Sequence, residues 1–259
     1  MTDPHVVALR YRLETHPSLA FNHPRPLEYD TGEFTLQLAD GILTCTMKTH
    51  YASADTARAV VDPLLRTWEI DTALREGRRA IWFAYEDAEG IDRKPTPPGS
   101  RLIALGGSLR VTGGVVAWLV TRREYPALPE RFKVSPDVET LWRRYESYMQ
   151  GREPLPGMAY VCQSFIEKVL ARGRSDAAQK YHIEPDVLRT LGNLHSHRGD
   201  LTSRRKLEYE RDRHEPPLTP SEIAWMEAAV RMLIRQVGEY AADPTAAWPT
   251  LSMRDLPSL

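Results

Sequence analysis

At 259 residues the chain is long enough for one large domain or two small ones with a full core. Its 42% hydrophobic and 27% charged content is that of a soluble globular protein, and a net charge of -1 gives no global basic field to draw nucleic acid or a membrane surface. No apolar run approaches ~18 residues and the N-terminus lacks a charged start followed by an apolar stretch, so neither a membrane span nor a signal peptide is expected and the chain is placed in the cytoplasm.

Residues 1–30 carry His5, His16 and His23 among prolines and show no clear period. The segment 33–48 reads as a β-hairpin. Phe34, Leu36 and Leu38 alternate with polar residues, Asp40 and Gly41 supply a turn that tolerates positive φ, and Leu43, Cys45 and Met47 alternate on the return strand. A helix should follow with Ser53 as N-cap, because Ala57, Val60, Val61, Leu64, Leu65 and Trp68 share one stripe. Pro63 inside that stripe predicts a kink or two short helices, and Gly77 a stop. Residues 80–86 alternate as a strand. The acidic group Glu86, Asp87, Glu89 and Asp92 then reads as a solvated, ion-paired turn, with a divalent-ion site as the other use of such carboxylates. A second hairpin is expected over 101–125, turning at Thr112, Gly113 and Gly114.

The segment 126–136, with three prolines, reads as a linker. Beyond it the period becomes helical. Val138, Leu141, Trp142, Tyr145 and Met149 share a face, as do Met158, Val161, Cys162, Phe165 and Val169. Pro185 opens a helix with Val187, Leu188, Leu191 and Leu194 apolar. The last long helix begins with a capping box, Thr219 as N-cap, Pro220 at N1 and Glu222 at N3. The fold class is therefore α+β: an N-terminal antiparallel sheet with a kinked helix over 1–130, a C-terminal α-helical bundle over 131–245, and an extended tail over 246–259.

Cys45 and Cys162 lie in apolar stretches with no spacing motif and read as buried free thiols in a reducing compartment. Of the basic residues 28 are Arg and 6 Lys; arginine suits phosphate and carboxylate forks, and a GC-rich bacterial genome gives the same bias. The stretch 189–200, "RTLGNLHSHRGD", holds the chemistry-bearing candidates. His195 follows Leu191 by four and Leu188 by seven, which places it on or beside the buried face. His197 is about 200° away on a continuous helix, so the H-x-H pair does not converge on a metal there, and no metal site is expected. No phosphate-loop, nucleophile-elbow or dinucleotide fingerprint occurs, and no cofactor is expected.

Arg189 and His195 are spaced as in R-x(4–6)-H, and residues 140–240 resemble HEPN domains, small helical bundles that carry this motif near a helix end. The resemblance implies metal-independent RNA cleavage in a homodimer cleft, with Arg189 holding phosphate and His195 as general base or acid. Thr190 stands where active members of that family carry Asn, Asp or His. Separately, 177–194 resembles a helix-turn-helix, with Ala178, Tyr181, Ile183 and Leu188 at its small and apolar positions and His182 where that motif prefers glycine. This implies that Arg189, Asn193 and His195 face bases, flanked by Arg198, Arg204, Arg205, Lys206, Arg211 and Arg213 as the nucleic-acid-binding patch. The leading expectation is a non-enzymatic binding or regulatory accessory protein of the bacterial cytosol with a protein partner. The alternatives are the HEPN-like ribonuclease and a DNA-binding protein.

Overall fold

The structure, a computed structural model, describes residues 3–93, 120–197 and 217–259. The chain divides into two compact units, one of residues 1–72 and 79–128 and one of 73–78 and 129–259.

The first unit is an antiparallel sheet of five strands with a helix among its core partners. The strands are β1 (Pro4–Thr15), β3 (Leu27–Asp30), β4 (Phe34–Ala39), β5 (Ile42–Met47) and β6 (Ile81–Asp92), in the order β3-β4-β5-β1-β6. A short β2 (Leu19–Phe21) pairs in parallel with β7 (Val120–Arg122). The β4–β5 hairpin forms in the expected register, Leu38 opposite Leu43 and Leu36 opposite Cys45. Its turn residues Asp40 and Gly41 both have positive φ, 49° and 77°, the pair that matches the right-handed strand twist.

The helix α1 (Ala54–Glu76) starts where Ser53 Oγ accepts the Thr56 amide and stops at Gly77, whose φ is 71°. It is one continuous helix, not two short ones. Pro63 and Ala59, whose carbonyl loses its partner, are both on the exposed side, where water can satisfy that carbonyl. The opposite stripe, Ala57, Val61, Leu65 and Trp68, packs with Leu9, Leu36, Leu43 and Cys45 of the sheet into one core.

Two further expectations are corrected. The aperiodic N-terminus is a twelve-residue strand, β1, lying between β5 and β6. The acidic group 86–92 is largely exposed and ion-paired, but it is not a turn: it continues β6. Arg10 pairs with Asp87 at 3.1 Å and Glu89 at 2.7 Å, Arg12 reaches Glu86 at 3.6 Å, and Asp92 accepts the Asp3 amide at 2.9 Å. The neighbouring strand thus offsets the like-charge repulsion that would otherwise fray it. The expected hairpin over 101–125 falls largely on 94–119, outside the described residues. Its described end, β7, pairs in parallel with β2.

The second unit holds α2 (Pro136–Met149), α3 (Leu155–Lys168), α4 (Arg174–Lys180), α5 (Pro185–His197) and α6 (Pro220–Ala242). The capping box of α6 is complete: Thr219 Oγ1 accepts the Glu222 amide and Glu222 Oε2 accepts the Thr219 amide at 2.8 Å. Ser135 caps α2 in the same way, with Pro136 opening the helix. Helix α3 touches each of the other four helices. Leu141, Trp142, Met158, Cys162, Leu191 and Trp225 are among the unit's fully buried side chains. The tail 246–259 packs into this unit. Leu251 forms a parallel bridge with Ile183, Trp248 stacks on His182 with 4.4 Å between ring centroids, and Trp248, Leu251 and Leu256 are buried. No helix among the described residues is long and apolar enough to cross a membrane.

Candidate functional site

Helix α5 decides the fate of the residues singled out in 189–200. It runs unbroken through His197, so Arg189 and His195, six positions apart, diverge by about 120°. Arg189 is 63% exposed and pairs with Asp186 one turn back at 2.7 Å. His195 is 5% exposed and faces α3. The structure does not bring the two together. Nor does His195 face outward as a base reader: Arg189 and Asn193 are exposed, whereas His195 is buried. The cause is the apolar register of Leu188 and Leu191, which carries His195 inward with them. The basic patch Arg198, Arg204, Arg205, Lys206, Arg211 and Arg213 lies outside the described residues.

The partner of His195 is Gln163 of α3, itself 2% exposed. Gln163 Nε2 donates to Glu167 Oε1 at 2.6 Å and to the Leu188 carbonyl at 2.8 Å. Both of those partners are acceptors, so the amide is oriented and its oxygen must face the imidazole. Gln163 Oε1 lies 2.9 Å from His195 Nε2, which therefore carries the proton and donates. In the neutral ring Nδ1 then accepts from Ser196 Oγ at 3.2 Å. Tyr160 meets the ring edge-on at 5.5 Å. Glu167 Oε1 also accepts from Arg174 Nε at 2.8 Å, completing a chain His195, Gln163, Glu167, Arg174 that ties α5, α3 and the start of α4 together.

Above this chain lies a cavity of about 320 Å³ between α3, α4 and α5. Its wall is polar: Ser164, Lys168, Arg174, Asn193 and Ser196 join the groups just named. Gly192 shapes it. A glycine inside a helix costs about 1 kcal/mol relative to alanine, yet here a Cβ would stand 3.2 Å from Arg174 Nη2 and 3.6 Å from Gln163 Nε2. The missing side chain lets the guanidinium lie across α5.

Sequence reasoning found His195 and its burial but missed Gln163, Glu167, Lys168 and Arg174. Gln163 carried a signal, a lone amide beside Cys162 in an apolar run. Arg174 carried none, because its role depends on the approach of α4 to α3.

His182 takes a left-handed φ of 51°, and Ala178, Tyr181, Ile183 and Leu188 are all buried. The second unit's thiol, Cys162, is buried and pushed up to about 12 by that burial; Cys45 of the sheet unit is likewise buried and pushed up to about 12. No group of three or more metal-ligating side chains gathers among the described residues.

The sheet unit has a cavity of its own, about 340 Å³, lined by Tyr11, Arg58, Asp62, Glu69 and Tyr85 among others. Its polar groups pair with one another. Tyr11 donates to Asp62 at 2.7 Å, Arg58 donates to Asp62 at 3.1 Å, and the Arg58 guanidinium sits 4.4 Å over the Tyr85 ring. Glu69 accepts the Phe83 amide at 2.8 Å, and burial raises its carboxyl above the ordinary value.

In comparisons with protein families, curated proteins and solved structures the chain finds no match.

Proposed function

We propose that this chain is a non-enzymatic binding protein, an accessory or regulatory component of the cytosol, and that the cleft of the helical unit receives its ligand. One observation carries the reading: His195 is buried and held by Gln163, while Arg189 pairs with Asp186 on another face of α5. A general base must reach its substrate and work beside the group that holds the phosphate. This pair does neither, so His195 acts as a structural post beneath the cleft. A protein partner belongs to the same reading.

The test is cleavage of single-stranded RNA in EDTA. The HEPN-like alternative, a metal-independent ribonuclease, requires cleavage that His195→Ala and Arg189→Ala each abolish at unchanged melting temperature. The present reading expects no cleavage from the parent chain. It expects His195→Ala to lower the melting temperature, because Gln163 loses a buried partner.

A second reading has support from the α4–α5 turn. With His182 left-handed and the apolar positions buried, α5 offers Arg189 and Asn193 to a DNA groove. Retention of duplex DNA, with log affinity falling steeply in log salt and lost in Arg189→Ala, is the result that favours it.

A further inference from the structure

Four side chains on the wall of the cleft hold hydrogen-bonding groups with no partner among the described residues. Lys168 makes no ion pair or hydrogen bond there. Arg174 engages only Nε, leaving both terminal nitrogens available. The Ser164 hydroxyl and the Asn193 amide are likewise uncommitted. Two of the four are cations, and the one carboxylate of the cleft, Glu167, already accepts from Gln163 and Arg174 through a single oxygen. The cleft therefore presents an excess of donors over a hydrogen-bonded floor, and Gly192 lets the Arg174 guanidinium lie close across α5. Donors that line one cleft with a net positive charge favour an oxyanion, and a guanidinium and an ammonium on the same wall suit phosphate. A volume of about 320 Å³ lies at the small end of ligand pockets, the size of a phosphorylated small molecule.

We infer that this cleft binds a small phosphomonoester. Lys168 and Arg174 hold the phosphate, and Ser164 and Asn193 hydrogen-bond it or the adjoining hydroxyls. The inference rests on the binding-protein reading and names the class of ligand for that same cleft.

The test is a titration of the full-length protein, followed by backbone amide NMR, with inorganic phosphate, with glycerol 3-phosphate and with glycerol as the neutral control. Saturable shifts confined to the amides around 164, 168, 174 and 193 are expected from both phosphates and none from glycerol. Lys168→Ala removes an exposed, unpaired side chain and leaves the fold alone; it should weaken binding at least about tenfold, the loss of one charge-assisted contact. Arg174→Ala should do the same, with the amide spectrum reporting that the fold is kept. No localised shift from either phosphate, or an affinity unchanged in Lys168→Ala, overturns the inference. An unphosphorylated single-stranded RNA that binds the same amides more tightly than glycerol 3-phosphate overturns the small-molecule assignment. If that RNA is also cleaved, the binding-protein reading falls with it; if no ligand shifts the cleft and RNA stays intact, only the phosphate inference falls.

Discussion

Two regions, the β1–β6 pair of the sheet unit and the α3–α5 cleft of the helical unit, treat their charged side chains differently. On the sheet, Arg10 and Arg12 of β1 meet Asp87, Glu89 and Glu86 of β6, so the charges pair across a strand boundary and hold two strands in register. In the cleft of the helical unit Glu167 meets only Nε of Arg174, and among the described residues Lys168 and the terminal nitrogens of Arg174 have no acid paired with them. Charge alone marks neither region as functional. What separates them is whether the described neighbours account for the charge, as Asp87 and Glu89 do for Arg10 and as none does for Lys168. The polar groups differ as well. Tyr11 and Arg58 both donate to Asp62 in the sheet unit's cavity, whereas Gln163 and His195 build a floor beneath Lys168, Ser164 and Asn193, which have no partner among the described residues.

The comparison breaks most severely if the units cannot lose structure separately. Leu9 is fully buried on the strand between β5 and β6. Leu9→Asp puts a carboxylate in that core and should cost at least ~4 kcal/mol. Cys45, in the same core, should become open to thiol labelling while Cys162 stays protected. Equal exposure of both thiols would mean that the units melt as one.

A smaller change probes the other side. Trp248 is 7% exposed and stacks on His182. Trp248→Ala should cost roughly 3 kcal/mol, the low end for removing a buried tryptophan, and should expose Cys162 before Cys45. An unchanged melting curve would show that the tail contributes nothing to the helical unit.

Alkaline pH sharpens the comparison further. Burial holds both thiols near 12 against an ordinary value of 9.0. A folded-state value above the unfolded one means that the folded chain keeps a proton the unfolded chain releases. The stabilisation is full below pH 9 and is lost as pH rises towards 12. At pH 10 the loss should be on the order of 1 kcal/mol for each thiol. Cys45→Ser, compared with the parent at pH 7 and pH 10, should remove its share of that slope; an identical slope would contradict the burial of Cys45.

The smallest effect is expected on the sheet surface. The Arg10 side chain is 40% exposed and its carboxylate partners are about half exposed. Arg10→Ala should cost less than ~1 kcal/mol, and less still in high salt. A loss of several kcal/mol would make the Arg10 pairs a folding determinant rather than a register device.

Legibility followed the same division. Helices α2, α3, α5 and α6 were readable because a helix writes its buried face into the sequence every three to four residues, and the Thr219 and Glu222 cap is equally local. The β4–β5 hairpin was readable for the same reason, with its turn at Asp40 and Gly41. Strand β1 was not. It pairs with residues 42–46 on one side and 81–92 on the other, and its inward set Leu9 and Tyr11 is interleaved with arginines whose partners lie some seventy-five residues away. The extension of β6 through four acidic residues was hidden by the same distance. In the site, the inward position of His195 followed from its register with Leu188 and Leu191, whereas the cleft itself needed α3, α4 and α5 to come together.

The central claim is that His195 is a post fixed by Gln163 and not a working base. Nitrogen-15 NMR of the imidazole tests it directly. A slowly exchanging proton on Nε2 of His195, lost in Gln163→Leu, is the expected result. A ring protonated on Nδ1 alone, or an Nε2 proton that exchanges as fast as one in open solvent, would contradict it.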